Sequence, residues 1–189
     1  MIPLAMFDEK QKRLLLKLSA ASIRHGLDNH APLPVLLDDY DDALKQNRAC
    51  FVTLEIDQQL RGCIGTLEAY RPLVQDVVEN AYAAAFRDPR FTPLRESEYD
   101  ALHYHISVLH APQEMLVTSE QDLLQQLRPG VDGLIIEDAG RRATFLPSVW
   151  ESLPRAADFL RHLKHKAGLS EHHWSDSMQV HRYVVEDIV

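Results

Sequence analysis

Apolar residues recur along the chain at two spacings, one typical of helices and one typical of strands. A first helix is predicted after Asp8, which can cap it in a capping box with Gln11, and Gly26 suits its end. The apolar stripe of this helix consists of Leu14, Leu15, Leu18 and Ala21. We expect this stripe to face the core, as in most amphipathic helices of globular domains.

Alternation of apolar and polar residues predicts strands over residues 49–56, 102–109 and 180–185. Cys50 falls on the apolar side of the first strand, which predicts a core cysteine. A turn at residues 57–59 then brings the chain back, so residues 60–65 are predicted to form the return strand of a hairpin.

A second helix is predicted to begin at Pro72 and to stop before Asp88. Its small residues would let it pack closely on a sheet: Ala81, Ala83, Ala84 and Ala85. If the connection from the hairpin is short, Cys63 lies near the start of this helix, where the dipole would favour a thiolate.

Beyond residue 119 the pattern predicts a helix beginning at Ser119, a hairpin over 134–146 and a long helix over 155–166 with Gly168 as its cap. Three aromatic residues are expected to seal the core under that helix, namely Phe145, Trp150 and Trp174. The predicted fold class is α+β, a mostly antiparallel sheet with packed helices. The chain is predicted to be one domain, residues 1–189, with a possible smaller lobe.

The net charge and the lack of a long apolar run limit the kinds of molecule that this protein is expected to bind. Lys and Arg number 20 against 28 Asp and Glu, a net charge of −8, so phosphate backbones and anionic membranes are disfavoured as partners. No apolar run is long enough to span a membrane, and residues 1–7 lack a charged signal-peptide region. We therefore expect a cytoplasmic protein that binds proteins or small molecules.

Cysteine and histidine spacing gives little support for a metal. The two cysteines form no Cys-x-x-Cys pair, so neither a disulfide framework nor a zinc knuckle is predicted. Two groups of histidines could chelate a metal ion, but solvated positions explain both groups better: His103 with His105, and His162, His165, His172 and His173. We predict no metal and no cofactor, and a metal-binding protein is the weakest of three functional hypotheses.

The most informative stretch is residues 60–66, Leu-Arg-Gly-Cys-Ile-Gly-Thr. Gly62 and Gly65 permit a positive φ or a close approach by another group. In an extended strand Arg61 and Cys63 share a face, where the guanidinium would favour the thiolate. The alternative interpretation is a buried structural cysteine between ordinary strand glycines.

The segment Asp88-Pro89-Arg90-Phe91 is a tight exit from the second helix. Asp88 can order the turn and Phe91 can anchor it in the core, which is the simpler interpretation. Arg90 is also a candidate for binding a carboxylate or phosphate through its planar guanidinium.

These motifs resemble the AMMECR family, the small intracellular proteins also called AmmeMemoRadiSam system protein A. The segment 61–65 resembles the family signature. Five further blocks follow in the same order: residues 84–91, 106–109, 130–134, 143–147 with Trp150, and 159–169 with Trp174. The resemblance covers roughly residues 10–187 and implies an α+β fold. It also implies a component of a three-part system with a Memo-like protein and a radical SAM enzyme.

The first functional hypothesis is an enzyme, or the catalytic partner of one, that acts on a small molecule. Cys63 would be its nucleophile or acyl carrier, with Arg61 favouring the thiolate. Ser107 or His105 could act as the base if their strand lies beside the signature strand. Residues expected to bind the substrate are Gly62, Gly65, Asp88 and Arg90. The alternative is an adaptor module that docks a protein or small molecule at the surface of residues 61–65 without chemistry.

Overall fold

The computed structural model describes residues 7–189. Residues 1–6, which include most of the segment that lacks a charged signal-peptide region, lie outside the described residues. The helices are α1 (Glu9–Asn29), α2 (Asp42–Lys45), α3 (Leu73–Phe86), α4 (Glu120–Gln126) and α5 (Ala156–Lys166). The strands are β1 (Cys50–Ile56), β2 (Gln59–Gly65), β3 (His103–Leu109), β4 (Gln113–Glu114), β5 (Gly133–Asp138), β6 (Arg141–Phe145), β7 (Gln179–Tyr183) and β8 (Val185–Ile188).

The chain divides into two compact units, each with a four-stranded sheet. The first unit runs to Leu109 and includes Glu186–Val189, and the second unit is His110–Val185. The sheet orders are β2-β1-β3-β8 in the first unit and β4-β7-β5-β6 in the second. The assigned pairs of β1 with β2 and β3, and of β5 with β6 and β7, are antiparallel, and helices pack on the sheets. The predicted α+β class is confirmed.

The first unit is built around β1 and α3. Cys50, Val52 and Leu54 alternate into the core and are fully buried, which confirms Cys50 as a core residue. Helix α3 packs on β1 and β2, and α1 packs on α3. Strand β2 is therefore at one edge of this sheet, with its core-facing side covered by α3.

The capping box at the start of α1 is confirmed, but the predicted end of the helix is wrong. Asp8 accepts a hydrogen bond from the amide of Gln11, whose side chain bonds back to the amide of Asp8. The helix continues past Gly26 to Asn29. A Cβ at position 26 would overlap the ring of Phe86 on α3. The glycine therefore permits the close crossing of two helices rather than ending one of them.

The second unit has its own core beneath α5. The ring of Trp150 stacks on Phe159 with centroids 3.9 Å apart, and Phe145 meets the same ring edge-on. Trp174 packs against this core from a partly buried position. Gly168 follows α5 with a φ of 73°, the left-handed conformation that terminates a helix. The predictions for these aromatic residues and for Gly168 are confirmed.

The predicted final strand over residues 180–185 is wrong in its extent. The structure has two strands there, β7 and β8, separated at Val184. Strand β7 pairs with β5, whereas β8 belongs to the sheet of the first unit. Both β7 and β8 are extended, and each pairs with strands that are distant in the sequence. The alternation of residues 180–185 therefore does not show that the strand is interrupted at Val184.

Candidate functional site

Cys63 lies in the middle of the edge strand β2, on the side of the sheet that faces away from α3. Its neighbour Gly62 faces Ala84 of α3, and Ile64 packs against the core of the first unit. The alternation of a strand therefore directs the half-buried side chain of Cys63 to the opposite side. The hydroxyl of Thr53 on β1 donates a hydrogen bond to its Sγ over 3.3 Å.

The loop after α3 caps the exposed edge of β2 at Cys63. The amide of Cys63 donates to Asp88 Oδ2 over 2.9 Å, and its carbonyl accepts from Arg90 Nη2 over 3.2 Å. Arg90 also donates to both carboxylate oxygens of Asp88, over 2.7 and 3.0 Å. Asp88 and Arg90 thus satisfy the backbone of Cys63 as a further strand would, which protects the edge.

Asp88 is almost fully buried, whereas the Arg90 side chain is 54% exposed. The hydrogen bonds from the Arg90 guanidinium, with those from the amides of Cys63 and Arg90, hold the pKa of Asp88 well below its usual range. The carboxylate is therefore ionised at neutral pH and organises the loop around it.

The predicted position of Cys63 near the start of α3 is wrong. Cys63 bonds Asp88, two residues beyond the last residue of the helix, and Gly62 lies against Ala84 in its last turn. Thr66 bonds Asp76 in the first turn, so β2 and α3 run in opposite directions. The helix terminus nearest to Cys63 carries the negative end of the dipole, which does not favour a thiolate.

The guanidinium of Arg61 is paired with a partner that sequence reasoning missed. Two residues of β2, Leu60 and Gly62, oppose consecutive residues of β1, so Arg61 is the extra residue of a β-bulge. Its guanidinium bonds both carboxylate oxygens of Glu98 over 2.8 and 3.1 Å, and the carbonyl of Thr92 over 3.0 Å. Its charge therefore ties the bulge to the segment that precedes β3.

Close packing explains why glycine is present at both positions of the signature, Gly62 and Gly65. A Cβ on Gly62 would overlap the carbonyl oxygen of Ala84, and a Cβ on Gly65 would overlap the ring of Phe51. Neither glycine has a positive φ. The sequence allows either a positive φ or a close approach at these glycines, and the structure shows the close approach. Helix α3 packs closely on the sheet at Ala84, as its small residues predict.

The side of the sheet that carries Cys63 also carries a row of polar residues, here called the polar face: Cys63 on β2, Thr53 on β1, and His105 and Ser107 on β3. Thr53 is the cross-strand partner of both Cys63 and His105. Strand β1 lies between β2 and β3, so Cys63 and His105 are two strand spacings apart, roughly 10 Å. For His105 or Ser107 to act as the base, β3 would have to lie beside β2, and β1 separates the two strands.

Asp187 contacts both candidate bases, His105 and Ser107, and no pattern in the sequence indicates this role. His105 Nε2 lies 3.0 Å from Asp187 Oδ1, and the Ser107 hydroxyl donates to the same oxygen over 2.7 Å. The carboxylate raises the pKa of His105, and the imidazole lowers the pKa of Asp187. Because Ser107 bonds Asp187 rather than His105, this group is not arranged as a nucleophile activated by a histidine.

The His105–Asp187 pair predicts a pH-dependent contribution to stability. A histidine whose folded-state pKa is raised stabilises the fold fully below its unfolded value of about 6.5, and this contribution is lost as the pH rises through the folded-state pKa. We expect the difference in thermal midpoint between the wild type and His105→Gln to shrink as the pH is raised through this window. Asp187→Asn should show the same trend, and a difference that is independent of pH would contradict the assignment.

Two histidines of the second group have hydrogen-bond partners within the second unit. His173 Nε2 lies 2.5 Å from Asp138 Oδ2, and His162 Nδ1 contacts the carbonyl of Asp158. Within residues 7–189 no three histidine, cysteine, aspartate or glutamate side chains converge in a way that could hold a metal ion. No helix of this part of the chain is both long enough and apolar enough to cross a membrane.

These features define an α+β protein whose glycine-flanked cysteine lies on an edge strand and is fixed there by the loop after the packed helix. The sequence matches the AMMECR1 family model over residues 16–188, so the chain belongs to the AMMECR1 family.

Relatives and a solved structure agree with this assignment. A protein of Methanothermobacter thermautotrophicus is 38% identical over 170 residues, 87% of this chain and 86% of that protein. A protein of Methanocaldococcus jannaschii is 34% identical over 157 residues, 79% of this chain and 76% of that protein. The crystal structure of an uncharacterized protein from Pyrococcus horikoshii matches with a TM-score of 0.81 at 27% identity, covering 97% of this chain and 93% of that one.

Proposed function

We propose that this AMMECR1-family protein is the thiol-bearing component of an enzyme system and that Cys63 reacts with a small anionic substrate. The observation that supports this most directly is that Asp88 binds both the amide of Cys63 and the guanidinium of Arg90. A half-exposed cation is thereby fixed beside a half-buried thiol. The same contacts cap the edge of β2, and the thiol itself stays half-buried on the face of the sheet away from α3.

Arg90 is suited to bind the anionic group of such a substrate. Its Nε and Nη2 bond Asp88 and the carbonyl of Cys63, whereas its Nη1 has no hydrogen-bond partner among the described residues. Two N–H groups of a planar guanidinium are therefore available to a carboxylate or phosphate. Arg61 has a supporting role, since its pairing with Glu98 fixes the bulge before Cys63.

The proposed reaction is nucleophilic transfer through sulfur. The Cys63 thiol gives its proton to solvent, and the thiolate forms a bond to the carbonyl carbon of an acyl donor. The bond between that carbon and the leaving group breaks, and the leaving group departs with the electron pair. A second nucleophile then takes the acyl group and releases the thiolate. From the family resemblance we propose a Memo-like protein and a radical SAM enzyme as the partners that supply or consume the acyl group.

The test is the pH dependence of iodoacetamide alkylation at Cys63, followed by peptide mapping. We expect Cys63 to be alkylated in the folded protein at a rate that rises with pH, because its side chain is only half-buried and the thiolate is the reacting form. Cys50 is fully buried and serves as the internal control, since it should react only in denatured protein.

A Cys63 that stays inert in the folded protein and reacts only on denaturation would contradict the proposal. Cys63→Ser should abolish labelling of the native protein and leave the thermal midpoint nearly unchanged, because a hydroxyl of similar size replaces a half-buried thiol.

A docking role without chemistry is the second candidate, and one observation favours it. Apolar side chains around the signature are exposed to solvent: Leu60 by 43%, Leu67 by 40% and Tyr70 by 60%. Single exposed apolar residues are ordinary, but three within one hairpin and its following loop are consistent with a partner surface. Co-purification of a Memo-like protein that survives Cys63→Ser but is lost in Leu60→Glu would favour docking over catalysis.

A further inference from the structure

Thr53 occupies the central position of the polar face. Strand β1 lies between β2 and β3, and the register places Thr53 opposite Cys63 on one side and opposite His105 on the other. Thr53 is half-buried, and its hydroxyl donates to the Cys63 sulfur over 3.3 Å. The neighbouring positions of β1 on the core side, Val52 and Leu54, are fully buried and apolar.

We infer that Thr53 is a positioning residue for Cys63, whose hydroxyl holds the sulfur in place and stabilises the thiolate relative to the thiol. A donor aimed at an atom that becomes negatively charged favours the charged form. This inference rests on the proposed function, because a stabilised thiolate matters only if Cys63 reacts. It adds to that proposal a group that neither the signature motif nor the family resemblance indicates.

The charged groups around Cys63 are paired with one another, so a neutral donor is better placed to stabilise its thiolate. The two arginines near the cysteine are each paired with a carboxylate, Arg61 with Glu98 and Arg90 with Asp88, and His105, two strands away, is paired with Asp187. Glu55, two residues from Thr53 along β1, is a further negative charge on this side of the strand. Paired charges contribute weak net fields at a third site, whereas the Thr53 hydroxyl contacts the sulfur itself.

A direct donor also explains why a threonine stands at this position. Valine has nearly the same shape and is likewise enriched in strands, so neither shape nor strand preference selects threonine at this position. The hydroxyl is what distinguishes the two side chains, and its observed acceptor is Cys63.

The experiment compares the pH profile of iodoacetamide alkylation at Cys63 in the wild type, Thr53→Val and Thr53→Ser. We expect Thr53→Val to shift the profile upward by about one pH unit, so that the rate below the midpoint falls about ten-fold. Thr53→Ser keeps the donor and should restore most of the wild-type rate. Protection of buried Cys50 in the native state shows for each variant that the first unit is folded.

The outcomes separate this inference from the proposed function. A wild-type Cys63 that is inert in the folded protein overturns the proposed function, and this inference falls with it. A reactive wild-type Cys63 whose profile is the same in Thr53→Val overturns the role of Thr53 alone. A loss that Thr53→Ser fails to restore, with Cys50 still protected, also contradicts the inference, because it would trace the effect to shape rather than to the hydroxyl.

Discussion

Gly62→Ala is expected to lower the free energy of unfolding of the first unit by about 3 kcal/mol or more. The added Cβ would overlap the backbone oxygen of Ala84, and a backbone carbonyl in the last turn of α3 has no rotamer through which it could move away. Relief requires that β2 and α3 separate. Separation would loosen the packing of Ala84 and Ile64, which belong to the same core or pack against it.

The chain offers a separate probe for each unit. In a Cys63→Ser background Cys50 is the one remaining thiol, and it is fully buried in the first unit. Both tryptophans, Trp150 and Trp174, belong to the second unit. Gly62→Ala should increase the rate of native-state labelling of Cys50 by about a hundred-fold, since about 1.4 kcal/mol corresponds to a factor of ten. Tryptophan fluorescence against denaturant reports the second unit separately.

Gly130→Ala is the matched control for the loss of a glycine. A Cβ there meets nothing within 4 Å, but its φ of 78° is strained for alanine, so a cost of about 1 kcal/mol is expected. It lies in the second unit and should leave the labelling of Cys50 unchanged. Equal labelling rates at Cys50 in Gly62→Ala and the wild type would contradict the packing role of Gly62.

The packing role of Gly62 shows how far a motif can be interpreted from sequence. The sequence predicts that Gly62 and Gly65 bind substrate, and a glycine permits close approach by another group. The structure gives each glycine a steric reason, toward α3 for Gly62 and toward Phe51 for Gly65. Sequence indicates that the backbone is approached closely at these positions, but it does not indicate whether a ligand or another part of the protein approaches.

Features that depend on neighbours in the chain were predictable. The capping box of Asp8 and Gln11, the core position of Cys50 and the left-handed Gly168 each follow from residues within a few positions of one another. The periods of 2 and 3.6 residues likewise gave most helices and strands, because burial of one face imposes them locally. Gly26 was misinterpreted because its reason lies in a distant helix.

Features of the site that depend on distant partners were not predictable. Thr53, Glu98 and Asp187 make the contacts that define Cys63, Arg61 and His105, yet none of the three carries a local signal. Their roles follow from the strand order β2-β1-β3-β8, which fixes β1 between the cysteine and the base candidates. The direction of α3 relative to β2, which decides the dipole end near Cys63, is equally a matter of tertiary packing.

Asp88→Ala is expected to lower the free energy of unfolding of the first unit by about 2–3 kcal/mol. It removes the acceptor of the Cys63 amide and the partner of Arg90, and it leaves the edge of β2 uncapped at Cys63. An uncapped edge strand can pair with a second chain, so we also expect concentration-dependent association, measured by size-exclusion chromatography with light scattering. Native-state labelling of Cys50 measures the loss of stability.

Asp88→Asn separates shape from charge. The amide oxygen can still accept from Cys63, but the charge-assisted bonds from Arg90 are lost, so an intermediate cost and little association are expected. If Asp88→Asn destabilises as much as Asp88→Ala, the charge dominates. If neither variant destabilises the first unit or promotes association, the capping role of Asp88 is wrong.

Arg90→Ala tests the pair of Asp88 and Arg90 by removing the cation, and the quantity measured is the pH dependence of the stability of the first unit. In the wild type the lowered pKa of Asp88 contributes stability that is present above the unfolded value of about 3.8 and is lost as the pH falls through the folded-state pKa. Without Arg90 the buried carboxylate loses its cation, so its folded-state pKa rises and this contribution disappears. The stability difference between the wild type and Arg90→Ala should therefore be largest at neutral pH and shrink as the medium becomes acidic. Denaturant titrations with Cys50 labelling at a series of pH values measure it, and a difference that stays the same at every pH would show that Arg90 stabilises the loop through packing on Phe91 rather than through Asp88.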